Sequence, residues 1–166
     1  MNSKLLQMFF EQYHNELYIY LRSLCHDSAV AEDLLQETFL KAILSLPDDH
    51  MNVRAWLYMV ARNLYFNYAS RQKHQTSLEE WQEVPQFFVD EVLEGMLKNE
   101  QRMRLYQALE QLSQTRREIL ILQYFGGFSQ KEIASMLQLS PENVRVLGHR
   151  AKKELKSYME EQDYEI

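Results

Sequence analysis

The stretch 128–156, FSQKEIASMLQLSPENVRVLGHRAKKELK, constrains the fold of this chain more than any other. It reads as two helices with a tight turn between them. Ser129 stands three residues before Glu132, the spacing of a capping box, in which hydroxyl and carboxylate each accept from an orphan amide at the helix start. Ile133, Ala134 and Leu137 then give the first helix one apolar face. Gln138 and Leu139 fall in the turn, Ser140 is placed to cap the second helix, and Pro141 takes its first position, where no amide hydrogen is needed. Val144, Leu147, Gly148, Ala151 and Leu155 recur at helical spacing and face inward, leaving Asn143, Arg145, His149, Lys152 and Lys153 largely outward. Over 141–156 there are five Lys or Arg against two Glu. This is the pattern of a helix-turn-helix whose second helix enters a major groove. A plain two-helix hairpin with a solvated basic face is the alternative; the turn length, the two caps and the charge favour DNA.

The rest of the composition agrees with helices. The 166 residues are 46% hydrophobic, enough for packed cores, and contain only 4 Gly and 3 Pro. The single Cys25 excludes an internal disulfide and suits a reducing, cytoplasmic setting. No apolar run approaches the roughly 20 residues of a membrane span, and Glu11 and Glu16 interrupt the start of the chain where a signal peptide would be apolar. The net charge of −6 is unusual for a DNA binder, and its distribution matters: 7 basic and 8 acidic side chains over 1–74, 0 and 6 over 75–97, 11 and 10 over 98–166. Such a chain binds free duplex weakly, because nonspecific affinity comes from neutralising phosphates, and it needs help to reach DNA.

Three helices are expected before the middle segment. Over 5–25, Phe9, Phe10, Tyr13, Leu17, Tyr20, Leu21 and Leu24 recur at helical intervals, and His26-Asp27-Ser28 makes a break and a cap. Over 29–46, Leu35, Phe39, Ala42, Ile43 and Leu46 make a core face opposite Asp33, Gln36, Glu37 and Lys41; residues 47–50 are a loop. Over 53–73, Leu57, Val60, Ala61, Leu64 and Tyr68 form the inner stripe. Between Asn52 and Ser77 no acidic residue occurs, while Arg54, Arg62, Arg71 and Lys73 interleave with Trp56, Tyr58, Tyr65, Phe66 and Tyr68, a pattern that suits single-stranded nucleic acid. A helical aromatic stripe is as often core, and for any single ring both readings stand. The stretch 75–97 has six carboxylates, no cation, and the apolar Trp81, Phe87 and Phe88: an acidic linker that docks on something. From Lys98 a second helical domain begins, with Leu105, Leu109 and Leu112 on one helix, Ser113 capping the next, Ile119, Leu122 and Tyr124 inside it, and Gly126-Gly127 ending it. The tail 159–166 is acidic and expected to fray. No Gly-rich phosphate loop, no paired Cys/His metal spacing and no nucleophile–base set is present, so neither an enzyme, a cofactor nor a small-molecule substrate is expected.

AEDLLQETFLKA over 31–42, RAWLYMVARNLYFNYASRQK over 54–73, an acidic linker and a C-terminal helix-turn-helix, in that order, resemble a bacterial sigma factor of the extracytoplasmic-function group of the sigma-70 family. The resemblance covers nearly the whole chain. It implies an all-α fold of two small domains: region 2 over 1–74, a linker over 75–97, and region 4 over 98–166 with its helix-turn-helix over 129–156. It implies that Asp33, Gln36, Glu37 and Lys41 bind core RNA polymerase. Asn52, Arg54, Arg62, Asn63, Asn67, Ser70, Arg71 and Lys73 would belong to the surface that reads and melts the −10 element. Ser140, Asn143, Arg145, Val146, His149, Lys152 and Lys153 would read the −35 element of promoter DNA. It also implies an anti-sigma factor partner, often membrane-tethered, and a linker that threads the polymerase channel built to pass RNA. The chain departs from the family at Asn67, commonly Asp, and at Ser70, commonly Arg. It departs again in Asn143-Val144-Arg145-Val146-Leu147-Gly148, where Leu147 takes an arginine's place. Two other readings use the same residues: a dimeric helix-turn-helix regulator acting without polymerase, which leaves the 31–42 block unexplained, and a sigma-like interaction protein that does not open DNA.

Overall fold

A computed structural model of the chain describes residues 3–46, 52–75 and 100–164, and every regular element among them is a helix, as the sequence implies. The loop 47–50 and the acidic stretch beyond Gln75, including Trp81, Phe87 and Phe88, lie outside the described residues. The chain divides into two compact units, Met1–Phe88 and Val89–Ile166.

In the first unit, α1 (Ser3–Cys25), α2 (Ser28–Ser45) and α3 (Val53–Gln75) each pack on the other two. The break between α1 and α2 is local chemistry. His26 takes a left-handed backbone, φ 57°, and Asp27 Oδ1 accepts from the N–H groups of Ala29 at 2.9 Å and Val30 at 3.2 Å. The second half of α1 is flanked by both neighbours, so burial there loses its helical period: every residue from Leu17 to Leu24 is buried, Arg22 and Ser23 included. The Ser23 hydroxyl is satisfied by donating to the Tyr20 carbonyl at 2.6 Å, and the Thr38 hydroxyl in α2 by donating to the Leu34 carbonyl at 2.7 Å. One expectation is corrected and one open alternative is decided. Ile43, read as core, is 45% exposed because α2 turns that side away from α1 and α3. Tyr58, read as a candidate for base stacking, is 1% exposed, with its ring 5.1 Å from that of Tyr20.

Burial at the end of α1 pushes the Cys25 thiol up to about 11, and its Sγ donates to the Asp27 carbonyl at 3.3 Å. The unfolded thiol loses its proton near pH 9 and the folded one near 11, so the folded chain binds the extra proton and stability falls as pH rises through that window. At pH 8 the native thiol should react with a maleimide about a hundredfold more slowly than in urea; equal rates would contradict the burial.

The second unit is built on α7 (Pro141–Tyr164), which packs on α4 (Glu100–Leu109), α5 (Gln114–Tyr124) and α6 (Gln130–Leu137). Its core holds Tyr106, Leu109, Ile119, Leu120, Ile121, Leu122, Ile133, Val144 and Ala151. Helix α5 touches all three others, and burial runs without a gap from Arg117 to Leu122. Arg117 is satisfied by donating from Nη1 to the Leu112 carbonyl at 3.2 Å, which ties the α4–α5 turn, and Arg116 pairs with Glu154 of α7. Helix α4 ends at Leu109, so Leu112 lies in the turn rather than on the helix expected for it. Tyr124, expected inside, is 45% exposed at the last position of α5. Ser113 is the residue before α5, but its side chain makes no capping bond. The tail expected to fray continues α7 as helix to Tyr164.

Candidate functional site

The helix-turn-helix is α6, a three-residue turn and α7. The capping box is formed: the Glu132 N–H donates to Ser129 Oγ at 3.2 Å, and the Ser129 N–H to Glu132 Oε1 at 3.0 Å. Gln138 ends α6 in the left-handed region, φ 57°, and the Leu139 N–H closes the turn on the Ala134 carbonyl at 2.9 Å. A side chain here costs about 1 kcal/mol relative to glycine. Ser140 Oγ then accepts from the Asn143 N–H at 3.1 Å, so its hydroxyl is engaged as the α7 cap.

Beyond that cap, α7 separates two faces. Val144, Gly148, Ala151 and Leu155 are buried and Leu147 half-buried. Arg145, His149 and Lys152 are exposed at spacings of four and three residues, so they form one stripe; Asn143 and Lys153 are exposed beside it, and Val146 is half-buried. Arg150, counted in the basic charge but not assigned a role, is exposed as well. Arg145 Nη2 lies 3.9 Å from Glu142 Oε1, a solvated pair too exposed to hold the guanidinium. Gly148 is tolerated in mid-helix at about 1 kcal/mol relative to alanine. A Cβ there would meet only Ile119 Cγ2, at 3.6 Å, which is ordinary contact. Beside it a groove of about 140 Å³ opens, lined from outside α7 by Gln123 and Gln130, two residues the sequence reading passed over.

In the first unit, α2 presents Asp33, Gln36, Glu37 and Lys41 on one exposed stripe. The stripe does not stop there. Leu40 is 54% and Leu44 75% exposed, seven and eleven residues after Asp33, hence on the same side. The spacing was readable in the sequence; the exposure of two leucines was not.

The residues assigned to α3 divide. Asn63, Asn67, Ser70 and Arg71 are exposed at i, i+4, i+7 and i+8, one continuous face. Arg62 and Lys73 lie to one side of it, with the Arg62 guanidinium 4.5 Å from the Phe66 ring centroid and the Phe66 ring 5.1 Å from that of Tyr65. Two members are drawn into structural work. Asn52 Oδ1 accepts from the Ala55 N–H at 3.1 Å and caps α3. Arg54 is held by both oxygens of Glu16 on α1, Nε to Oε1 at 2.8 Å and Nη2 to Oε2 at 3.1 Å. That hydrogen bonding holds the Arg54 guanidinium above its ordinary pKa. Arg54 therefore straps α3 to α1 across 38 residues, which no local pattern reveals.

Among the described residues no three His, Cys, Asp or Glu side chains come together to hold a metal ion, and no helix is long and apolar enough to cross a membrane.

Comparison with known proteins matches both parts of the chain. Residues 9–75 match the model of Sigma-70 region 2, and residues 102–155 that of Sigma-70 region 4. The chain is 30% identical over 149 residues to the ECF RNA polymerase sigma factor SigM of Bacillus subtilis (strain 168), covering 89% of this chain and 91% of that one. It is 32% identical over 154 residues to the RNA polymerase sigma factor YlaC of the same organism, covering 90% and 89%. The sigma factor RpoE in its complex with the anti-sigma factor NepR from Bartonella quintana shares the fold with a TM-score of 0.78, at 22% identity over 95% of this chain and 98% of that one. CnrH in complex with the cytosolic domain of CnrY does so with a TM-score of 0.65, at 22% identity over 96% and 90%.

Proposed function

The chain belongs to the sigma-70 family, in its extracytoplasmic-function group, and is an initiation factor that directs RNA polymerase to promoters; from that premise we propose how its residues divide the work. The exposed α2 stripe of Asp33, Gln36, Glu37 and Lys41, continued by Leu40 and Leu44, docks on core polymerase. Residues 1–74 act as the region that reads and opens the −10 element, with Asn63, Asn67, Ser70 and Arg71 as the contact face and Arg62, Phe66 and Tyr65 as the adjoining cation and rings for unpaired bases. Residues 98–166 place α7 in the major groove of the −35 element, with Arg145, His149 and Lys152 foremost. The linker over 75–97 sets the separation of the two readings and lies in the positive channel that later passes RNA. The factor performs no catalysis and works in the cytoplasm.

The observation that carries this reading is the coincidence of two surfaces in one chain. An acidic-to-apolar helical stripe suits a protein partner, and a basic helix-turn-helix face suits duplex DNA. A free-standing regulator leaves the first without use. With a net charge of −6, the chain is a poor DNA binder alone, and polymerase supplies the missing positive surface. Two solved relatives of the fold are bound to NepR and to the cytosolic domain of CnrY. They support an anti-sigma factor as the partner that holds this chain inactive.

Runoff transcription with purified core polymerase and a promoter library tests the division. Wild-type protein should give promoter-selective transcripts and little duplex binding without polymerase. Arg145→Ala should cost about 1–3 kcal/mol and relax selectivity at one −35 position, while Lys152→Ala should weaken all sequences alike and lower the salt dependence by about one phosphate contact. Tight, selective binding of duplex by the protein alone would favour the regulator reading instead.

A further inference from the structure

The groove beside Gly148 has no part in a recognition helix that reads bases by its exposed stripe alone. Its volume is about 140 Å³, room for roughly four or five waters at liquid density. Gln123 comes to it from the end of α5, Gln130 from the start of α6, and Arg145, His149 and Lys152 from α7. No carboxylate is among its described lining residues, and Glu142 reaches Arg145 only at 3.9 Å. A small concavity walled by two amides, an imidazole, a guanidinium and an ammonium offers hydrogen-bond donors and positive charge together, which is what a phosphodiester oxygen takes.

Gly148 forms part of the same wall, and packing is not the reason it lacks a side chain. A Cβ would rest 3.6 Å from Ile119 Cγ2 and meet nothing else within 4 Å. Alanine is the better helix former at such a position. Gly148 also lines the groove, so a methyl there would border it.

We propose that this groove seats one backbone phosphate of the −35 duplex, with Gln123 and Gln130 donating to it from outside the recognition helix and Gly148 leaving the room for it. The inference rests on the assignment of α7 to the −35 element. A phosphate held between three helices fixes how deep and in what register α7 enters the groove, while base edges remain to the exposed stripe. The assignment adds two neutral residues to the DNA surface that a search for basic residues does not find.

Holoenzyme reconstituted with core polymerase tests it. Gln123→Ala with Gln130→Ala should weaken promoter binding about tenfold, by the same factor for every −35 sequence. The salt dependence should stay as in wild type, because neither glutamine carries charge. Gly148→Ala should raise the thermal midpoint of the protein and still weaken promoter binding, a divergence that a merely structural glycine does not produce. A scan with single methylphosphonates along the −35 duplex should find one phosphate whose neutralisation weakens wild type more than it weakens the double glutamine variant, which keeps the charges of Arg145 and Lys152. Identical scans for both proteins, or a Gly148→Ala holoenzyme that binds as tightly as wild type, overturn the proposal. If Arg145→Ala and Lys152→Ala weaken binding while the groove variants do not, the groove alone is wrong. If all of them bind as wild type, the −35 assignment of α7 falls, and the groove falls with it.

Discussion

Asp33→Arg combined with Glu37→Arg should reduce binding of core RNA polymerase by at least about a hundredfold, while the unfolding free energy stays within about 0.5 kcal/mol of wild type. Both carboxylates are exposed, in the interior of α2 and clear of its first turn, so neither supports the helix start electrostatically. Arginine is a good helix former, and the main local penalty is a like-charge neighbour at Lys41, four residues after position 37, worth a few tenths of a kcal/mol. Across an interface the same reversal is far more costly, because like charges placed against each other oppose docking by several kcal/mol. Native gel shift with core enzyme reads the binding and circular dichroism the fold. Unchanged binding by a folded double variant would remove the α2 stripe from the polymerase interface.

Gly126→Ala should destabilise the second unit by about 3 kcal/mol. A Cβ at that corner would lie 2.7 Å from the Leu122 carbonyl oxygen and 2.8 and 2.9 Å from the Phe128 ring. The carbonyl belongs to α5 and already accepts from the Phe128 N–H at 3.1 Å, so the backbone has nowhere to retreat. Gly127, next in the chain, is required for a different reason: its φ of 69° is a left-handed conformation that other residues adopt only at a cost. The corner aims Phe128 and the capping box of α6, so the substitution should lower the thermal midpoint and promoter affinity together. Gly148→Ala should move them in opposite directions. A Gly126→Ala protein as stable as wild type would mean that the corner is not fixed as described.

The helix-turn-helix was legible in the sequence because its determinants are neighbours along the chain. Ser129 with Glu132, Ser140 with Asn143, and Asp27 with Ala29 each act across two or three residues, and the structure forms all three caps. Helix faces were legible where a helix has one packed side, as in α7. They were not where it has several. Leu17 to Leu24 of α1 and Arg117 to Leu122 of α5 are buried all round, so the period that identifies an amphipathic helix disappears. The Arg54–Glu16 strap joins residues 38 apart, and its charge looked available for DNA until the partner was placed. Leu40 and Leu44 were ambiguous for the converse reason: leucine on a short helix is usually core, and only packing shows which leucines are left over.

Helix α7 runs unbroken from Pro141 to Tyr164, 24 residues and about 36 Å at 1.5 Å per residue. Its first turns carry the exposed basic stripe, and its inner side, with Val144, Ala151 and Leu155 buried, packs on α4, α5 and α6. With no Pro or Gly after Gly148, the last four turns behave as a stiff shaft. A load applied near Tyr158 therefore passes along the helix to the core that buries Val144 and Leu155, and the basic stripe moves with the second unit as a whole rather than by itself.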